Sequence, residues 1–221
     1  MTWVPPERKP WVEKLNAYGK GLGDDGRSII SLDSGDLLQA GTTATGLTDF
    51  GDEWFREPLE RLCAALDDEA ELHLAGRLRA RAEMQVILQN RLRLVDLWNK
   101  GPTIAQEVVR APIVVTGLGR SGTTLLHELL ACDPANRPAL LWELVHTVPG
   151  AAAPRGAGPD GVDWVATTHA EITVMDEMIP AFTTMHENGG GLPTECIFAF
   201  AHQFSSDIFT GIYNVPSYTI W

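Results

Sequence analysis

No lysine follows Lys100, the 221 residues include only three cysteines, and no apolar run approaches the ~20 residues of a membrane-spanning helix. Cys63, Cys132 and Cys196 are odd in number and far apart, which excludes a disulfide scaffold or a zinc knuckle. The opening Met1-Thr2-Trp3-Val4-Pro5-Pro6-Glu7-Arg8 does not read as a signal peptide. Positive charge is scarce throughout. Seventeen Lys+Arg stand against 29 Asp+Glu, a formal charge of −12. A nucleic-acid binder needs a basic face to neutralise phosphates, so no nucleic-acid partner is expected. What is present is ordinary for a globular chain: 44% apolar and 21% charged residues, enough to bury a core. The expectation is a soluble, reduced, cytoplasmic protein with no transmembrane segment.

The charge is unevenly placed. Residues 1–110 hold 14 basic and 18 acidic groups, a net of −4; residues 111–221 hold only Arg120, Arg137 and Arg155 against 11 acids, a net of −8. Texture changes at the same point. Short helices are expected over Trp11–Tyr18 and Ser31–Ala40, and a strongly helical pattern runs from Glu53 to about Asn99. In its longer helix, Leu72, Ala75, Leu78, Ala82 and Val86 share one face. Arg77, Arg79, Arg81, Arg91 and Arg93 read as its solvated side. Residues 1–110 are therefore expected to form a helical N-terminal extension.

From Ala111 the pattern is different. Pro112-Ile113-Val114-Val115-Thr116 is a β-branched apolar run of the kind that is buried on both faces in a parallel sheet. Gly117-Leu118-Gly119-Arg120-Ser121-Gly122 is a glycine-rich turn, and Thr123 to Ala131 reads as a helix stopped by Asp133-Pro134. Strand, glycine-rich loop and helix together open a nucleotide-binding α/β domain. Pro138–Val145 is expected to give a second strand or the loop leading off one. Residues 149–161 read as a Pro/Gly/Ala-rich linker, and Trp164–Met178 and Thr194–Phe209 as helical, separated by a turn at Asn188–Pro193.

The loop's chemistry is anion binding: glycines let backbone N–H groups converge, and the helix dipole points at the same place. Gly117 and Gly122 match the start of G-x-x-x-x-G-K-[ST], but Thr123 stands where the phosphate-binding lysine belongs. The available cation is Arg120, whose guanidinium can fork two hydrogen bonds to a phosphate or sulfate.

With the core Gly119-Arg120-Ser121-Gly122-Thr123-Thr124-Leu125-Leu126, the segment from Pro112 to Pro134 resembles the 5′-phosphosulfate loop of sulfotransferases that use PAPS (3′-phosphoadenosine 5′-phosphosulfate). The likeness is to the bacterial and tyrosylprotein-like branch, with Gly119 in place of the usual proline. Residues 185–196 add a softer similarity. The resemblance implies an α/β fold, a P-loop-type parallel sheet flanked by helices, with 111–221 forming the N-terminal part of the sulfotransferase domain. It implies PAPS as co-substrate, no metal, and cofactor-binding roles for Gly119, Arg120, Ser121, Gly122, Thr123 and Thr124. Arg120 would also stabilise charge developing on the bridging oxygen. Acceptors in such a family are small-molecule hydroxyls, here carbohydrate, lipid or phenol. The second PAPS element, an Arg followed by a Ser on a later strand and helix, has no match, and the expectation is a fragment truncated before it.

Transfer requires a base for the acceptor proton. By the resemblance that base is Glu143, in Leu141-Trp142-Glu143-Leu144, with His146 and His186 as alternatives. Glu187 and Glu195 are candidates for lining an acceptor pocket. Two other readings stand beside this one: a P-loop phosphotransferase acting on ATP, and a truncated, non-catalytic fragment. An unfinished sheet would leave an edge open to association.

Overall fold

The computed structural model describes residues 7–101, 103–119, 121–148, 162–180 and 187–221. The described elements are predominantly helical. In chain order they are α1 (Pro10–Gly21), α2 (Ser34–Thr45), a 3-10 turn (Glu53–Phe55), α3 (Arg56–Asp68) and α4 (Leu74–Lys100), followed by a second 3-10 turn (Ile104–Gln106), α5 (Thr123–Ala131) and α6 (Leu141–Val145). The last four are α7 (Trp164–Met178), α8 (Ile197–Ala201), α9 (Asp207–Ile212) and α10 (Pro216–Ile220).

Local chemistry sets many of the helix starts. Asp33 accepts from the Asp36 amide to cap α2, Asp163 accepts from the Ala166 amide to cap α7, and Pro10 and Pro216 open α1 and α10. At 1.5 Å per residue, the 27 residues of α4 span about 40 Å, and α1 and α2 pack along this rod. The start of α4 is capped from a neighbouring helix: the Ala75 amide donates to Asn16 Oδ1 of α1 at 3.0 Å. The hydrophobic core joins Leu37, Phe55, Leu59, Leu62 and Leu66 to Met84, Leu88 and Leu92 of α4. Phe204, Phe209 and Tyr218 come into it from the C-terminal helices. Four of these aromatics form a continuous run, Phe55 to Phe204 to Phe209 to Tyr218, with centroid separations of 6.2–6.3 Å.

The expected face of α4 is corrected. Leu74, Ala75, Ala80, Met84, Ile87, Leu88 and Leu92 are buried, while Leu78 and Ala82 are exposed. The arginines are not a solvated side either, Arg93 excepted. Arg77 and Arg91 are buried and Arg79 and Arg81 half-buried. The reason lies in the loops beside the helix, whose carbonyls have no ladder or helix to pair with. Arg77 donates twice to Ile30 O and once to Asp67 (2.5 Å), and Arg81 donates to Ser31 O. Arg91 donates to Phe50 O and Asp52 O while its guanidinium lies 4.1 Å from the Phe55 ring centroid.

The expected sheet is also not formed among the described residues. Residues 112–116 take part in no ladder, and Ile113 and Val114 are 62% and 77% exposed rather than buried. A strand exists through its ladder; Leu140 and Pro193 form only an isolated antiparallel bridge. Pro138–Val145 resolves into an extended lead-in followed by α6. Residues 149–161 lie outside the described residues.

The turn at 188–193 seats α6. Leu141 N donates to Leu192 O, Trp142 N to Gly190 O and Thr194 N to Ala139 O, each at 3.0 Å. Gly190 is pressed onto α7: a Cβ there would stand 2.3 Å from Val165 O. Gly190→Ala is therefore expected to cost about 1–3 kcal/mol of stability. Gly191→Ala, whose Cβ would meet Val165 Cγ1 at 3.4 Å, is expected to stay within about 0.5 kcal/mol. Thermal denaturation of the two variants checks the contrast.

Candidate functional site

The glycine-rich loop closes tightly onto the start of α5. Ser121 folds back on the turn, its amide and hydroxyl both donating to Leu118 O at 3.2 and 2.6 Å. Gly122 takes φ +92°, a left-handed conformation that suits glycine. Gly117 faces the turn so closely that a Cβ would lie 2.9 Å from Ser121 Oγ and 3.0 Å from Thr123 Cγ2. The first bond of α5 runs from Leu126 N to Gly122 O at 3.0 Å. The amides of Thr123, Thr124 and Leu125 thus precede the first intrahelical acceptor and are the free donors of a helix N-terminus. Thr123 and Thr124 are half-buried; Gly119, Ser121 and Gly122 are exposed. Arg120 lies outside the described residues.

Glu143 occupies the first turn of α6 with both carboxylate oxygens engaged. Oε1 accepts from Arg137 Nη2 at 2.6 Å, and Oε2 accepts from the Leu140 amide at 2.9 Å as a helix cap. Its side chain keeps 18% of its exposure. Each oxygen can accept more than one hydrogen bond, so the carboxylate is oriented without being exhausted. His146, one turn on, has Nε2 3.0 Å from Glu171 Oε2 of α7, and its ring lies tilted against Trp164 with centroids 4.5 Å apart. His186 lies outside the described residues. Glu187 is exposed ahead of the glycine turn, and Glu195 is exposed just before α8.

Sequence reasoning passed over Arg137, Glu171 and His202. Arg137 and Glu143 are six positions apart across an irregular segment, where no helical or strand period flags a pair. His202 follows α8, and its Nε2 lies 2.8 Å from Leu144 O and 3.1 Å from Thr147 Oγ1. Burial is the largest influence on this imidazole and pushes its pKa below the usual 6.5, against the opposing pull of the Leu144 carbonyl. The unfolded chain then binds the proton more readily than the folded one. Stability from this group is present in full above about pH 6.5 and is lost as pH falls toward the lower folded pKa. Urea midpoints measured from pH 7 downward should show the loss, and His202→Gln should remove that component. Among the described residues, no group of three His, Cys, Asp or Glu side chains is arranged to hold a metal ion, and no helix is long and apolar enough to cross a membrane.

An apolar segment outside any ladder thus leads into a glycine loop closed by a left-handed residue, and a helix with open first-turn amides follows it. Comparison with known proteins supplies the class. The structure is similar to the sulfotransferase STF1 from Mycobacterium tuberculosis H37Rv, with a TM-score of 0.71 and 29% identity over 87% of this chain and 52% of that one. It shares its fold with the sulfotransferase STF9 from Mycobacterium avium, with a TM-score of 0.71 and 23% identity over 86% of this chain and 48% of that one. The chain thus spans about half the length of the solved sulfotransferases it matches. Residues 112–221 match the model of the sulfotransferase family, and the chain belongs to that family. No curated protein matches the sequence.

Proposed function

We propose that this chain serves sulfuryl transfer from PAPS to a hydroxyl acceptor, with the 117–124 loop holding the 5′-phosphosulfate. The observation that carries the reading is the cradle over the start of α5. A Cβ on Gly117 would press on the Ser121 hydroxyl and the Thr123 methyl, and the helix's open amides face the same loop. That donor set fits a multiply charged oxyanion: amides and hydroxyls without a carboxylate among residues 117–124. Gly119, Ser121, Gly122, Thr123 and Thr124 would supply backbone or hydroxyl donors, and Arg120 would supply the charge.

When bound, PAPS supplies the sulfuryl group; the acceptor oxygen forms a bond to sulfur, the bond to the phosphate oxygen breaks, and PAP, a sulfate ester and a proton result. The chain's part is to bind, to orient and to receive that proton. Glu143 is assigned as the base. Its Arg137 contact and its capping bond hold the carboxylate in one rotamer, which is what a positioned proton acceptor requires. Loop amides, the helix dipole and Arg120 stabilise the developing charge in this scheme. A net charge of −12 would oppose approach by polyanionic acceptors, which favours small neutral hydroxyl compounds, whether carbohydrate, lipid or phenol.

Arg120→Ala is the test of the loop. Loss of a charge-assisted, forked contact is worth roughly 1.5–3 kcal/mol, so PAP binding should weaken by about tenfold to a hundredfold. Calorimetry on the two chains measures it, and an unchanged affinity would remove the loop from the proposal.

A further inference from the structure

The 3-10 turn Glu53–Phe55 sends its two aromatic residues in opposite directions: Phe55 is fully buried and Trp54 is 86% exposed. Tryptophan is seldom so open to water, given its apolar area. Trp54 stands at an open groove of about 510 Å³ lined by Asp52, Trp54, Gln203 and Ser205. That volume is within the usual range for small-ligand sites.

The polar groups of this groove are fixed from beneath by the buried Arg91. Its Nη1 donates to Gln203 Oε1 at 3.1 Å, and its Nη2 donates to Asp52 Oδ1 at 3.2 Å and to Asp52 O at 2.8 Å. Asp52 Oδ1 also accepts from the Trp54 amide at 3.3 Å. Holding the amide by its oxygen settles which end of Gln203 is the donor and leaves Nε2 for another acceptor. Holding the carboxylate by Oδ1 leaves Oδ2 as an acceptor. Ser205 adds a hydroxyl whose one contact, to Gln203 O, is long at 3.5 Å. The groove therefore offers an aromatic plate, an oriented donor, an oriented acceptor and a hydroxyl.

Those four features complement a pyranose ring. Such a ring presents a C–H face to an aromatic plane, and each of its hydroxyls both donates and accepts. Other ligands fit less well. The Asp52 carboxylate repels anions, the Arg91 charge beside it weakens the pull on cations, and three polar residues of four make a poor seat for an apolar segment. We propose that this groove is a binding subsite for a neutral saccharide, stacked on Trp54 and hydrogen-bonded through Gln203 Nε2, Asp52 Oδ2 and Ser205 Oγ. The assignment does not rest on the sulfuryl-transfer reading.

Saturation-transfer NMR and calorimetry on the full chain test it, with methyl glycosides of glucose, galactose and mannose, maltose, and tetramethylammonium as the cation control. At least one saccharide should bind with an affinity of about millimolar. Trp54→Ala should weaken it by about tenfold or more, and Ser205→Ala by a few fold. An unchanged melting temperature would show that the Trp54→Ala chain is folded, as the exposed position leads one to expect. A PAP titration of the same samples should be indifferent to Trp54→Ala, so failure of the loop reading and failure of this one are separately visible. No binding by any saccharide, binding untouched by Trp54→Ala, or tetramethylammonium bound more tightly than every saccharide would each overturn the proposal.

Discussion

Glu143→Gln is expected to lower sulfuryl transfer by about 10²–10⁴, the usual contribution of a positioned proton acceptor, while leaving PAP binding nearly intact. Glutamine is close in shape and retains an oxygen for the Leu140 amide, so α6 keeps its cap; what disappears is the basic carboxylate and its charge toward Arg137. The split between turnover and PAP affinity separates this outcome from unfolding, which would remove both. Release of PAP from PAPS, measured over phenol, saccharide and lipid hydroxyl acceptors, gives the turnover. If it survives in the variant, the base lies elsewhere. His146 is then the candidate, since Glu171 fixes its Nε2 and leaves Nδ1 as the acceptor; His186 is the remaining alternative.

Arg91→Ala is expected to destabilise the fold by about 3–5 kcal/mol. The guanidinium joins α4 to two separate loops. Nε donates to Phe50 O at 2.7 Å, Nη2 to Asp52 O, and Nη1 to Gln203 Oε1, with Phe55 stacked 4.1 Å away. Removing it strands carbonyls that have no other donor nearby and opens space against an aromatic of the core. Arg93, two positions on, is exposed and reaches only Gln89 at 3.3 Å. Arg93→Ala should change stability by less than about 0.5 kcal/mol. Urea midpoints of the two variants measure the difference, and equal effects would refute the role given to Arg91.

That pair of arginines shows where the sequence was legible and where it was not. Helices α5 and α7 were readable to the residue, because a glycine turn and an aspartate cap sit at their starts and short-range signals suffice. The glycine turn before α5 was readable for the same reason, its geometry being confined to a few consecutive residues. Arginines 77, 79, 81, 91 and 93 look alike in sequence. The burial of Arg77, Arg81 and Arg91 depends on loop carbonyls at Ile30, Ser31, Phe50 and Asp52, some 40 to 50 positions away, and no local period encodes that. The β-branched run at 112–116 carries strand propensity, yet a ladder needs a partner, and none of the described residues provides one. Glu143 was readable as a carboxylate in an apolar setting, but its Arg137 contact was not, since it depends on how an irregular segment bends.

The loop before α5 is proposed to hold the 5′-phosphate end of a 3′-phosphoadenosine nucleotide. Calorimetric titration of the chain with PAP, beside ADP with Mg²⁺, tests it most directly. PAP binding tighter than ADP is the predicted result. ADP preferred over PAP would contradict the account in favour of a phosphotransferase, and binding of neither would contradict it outright.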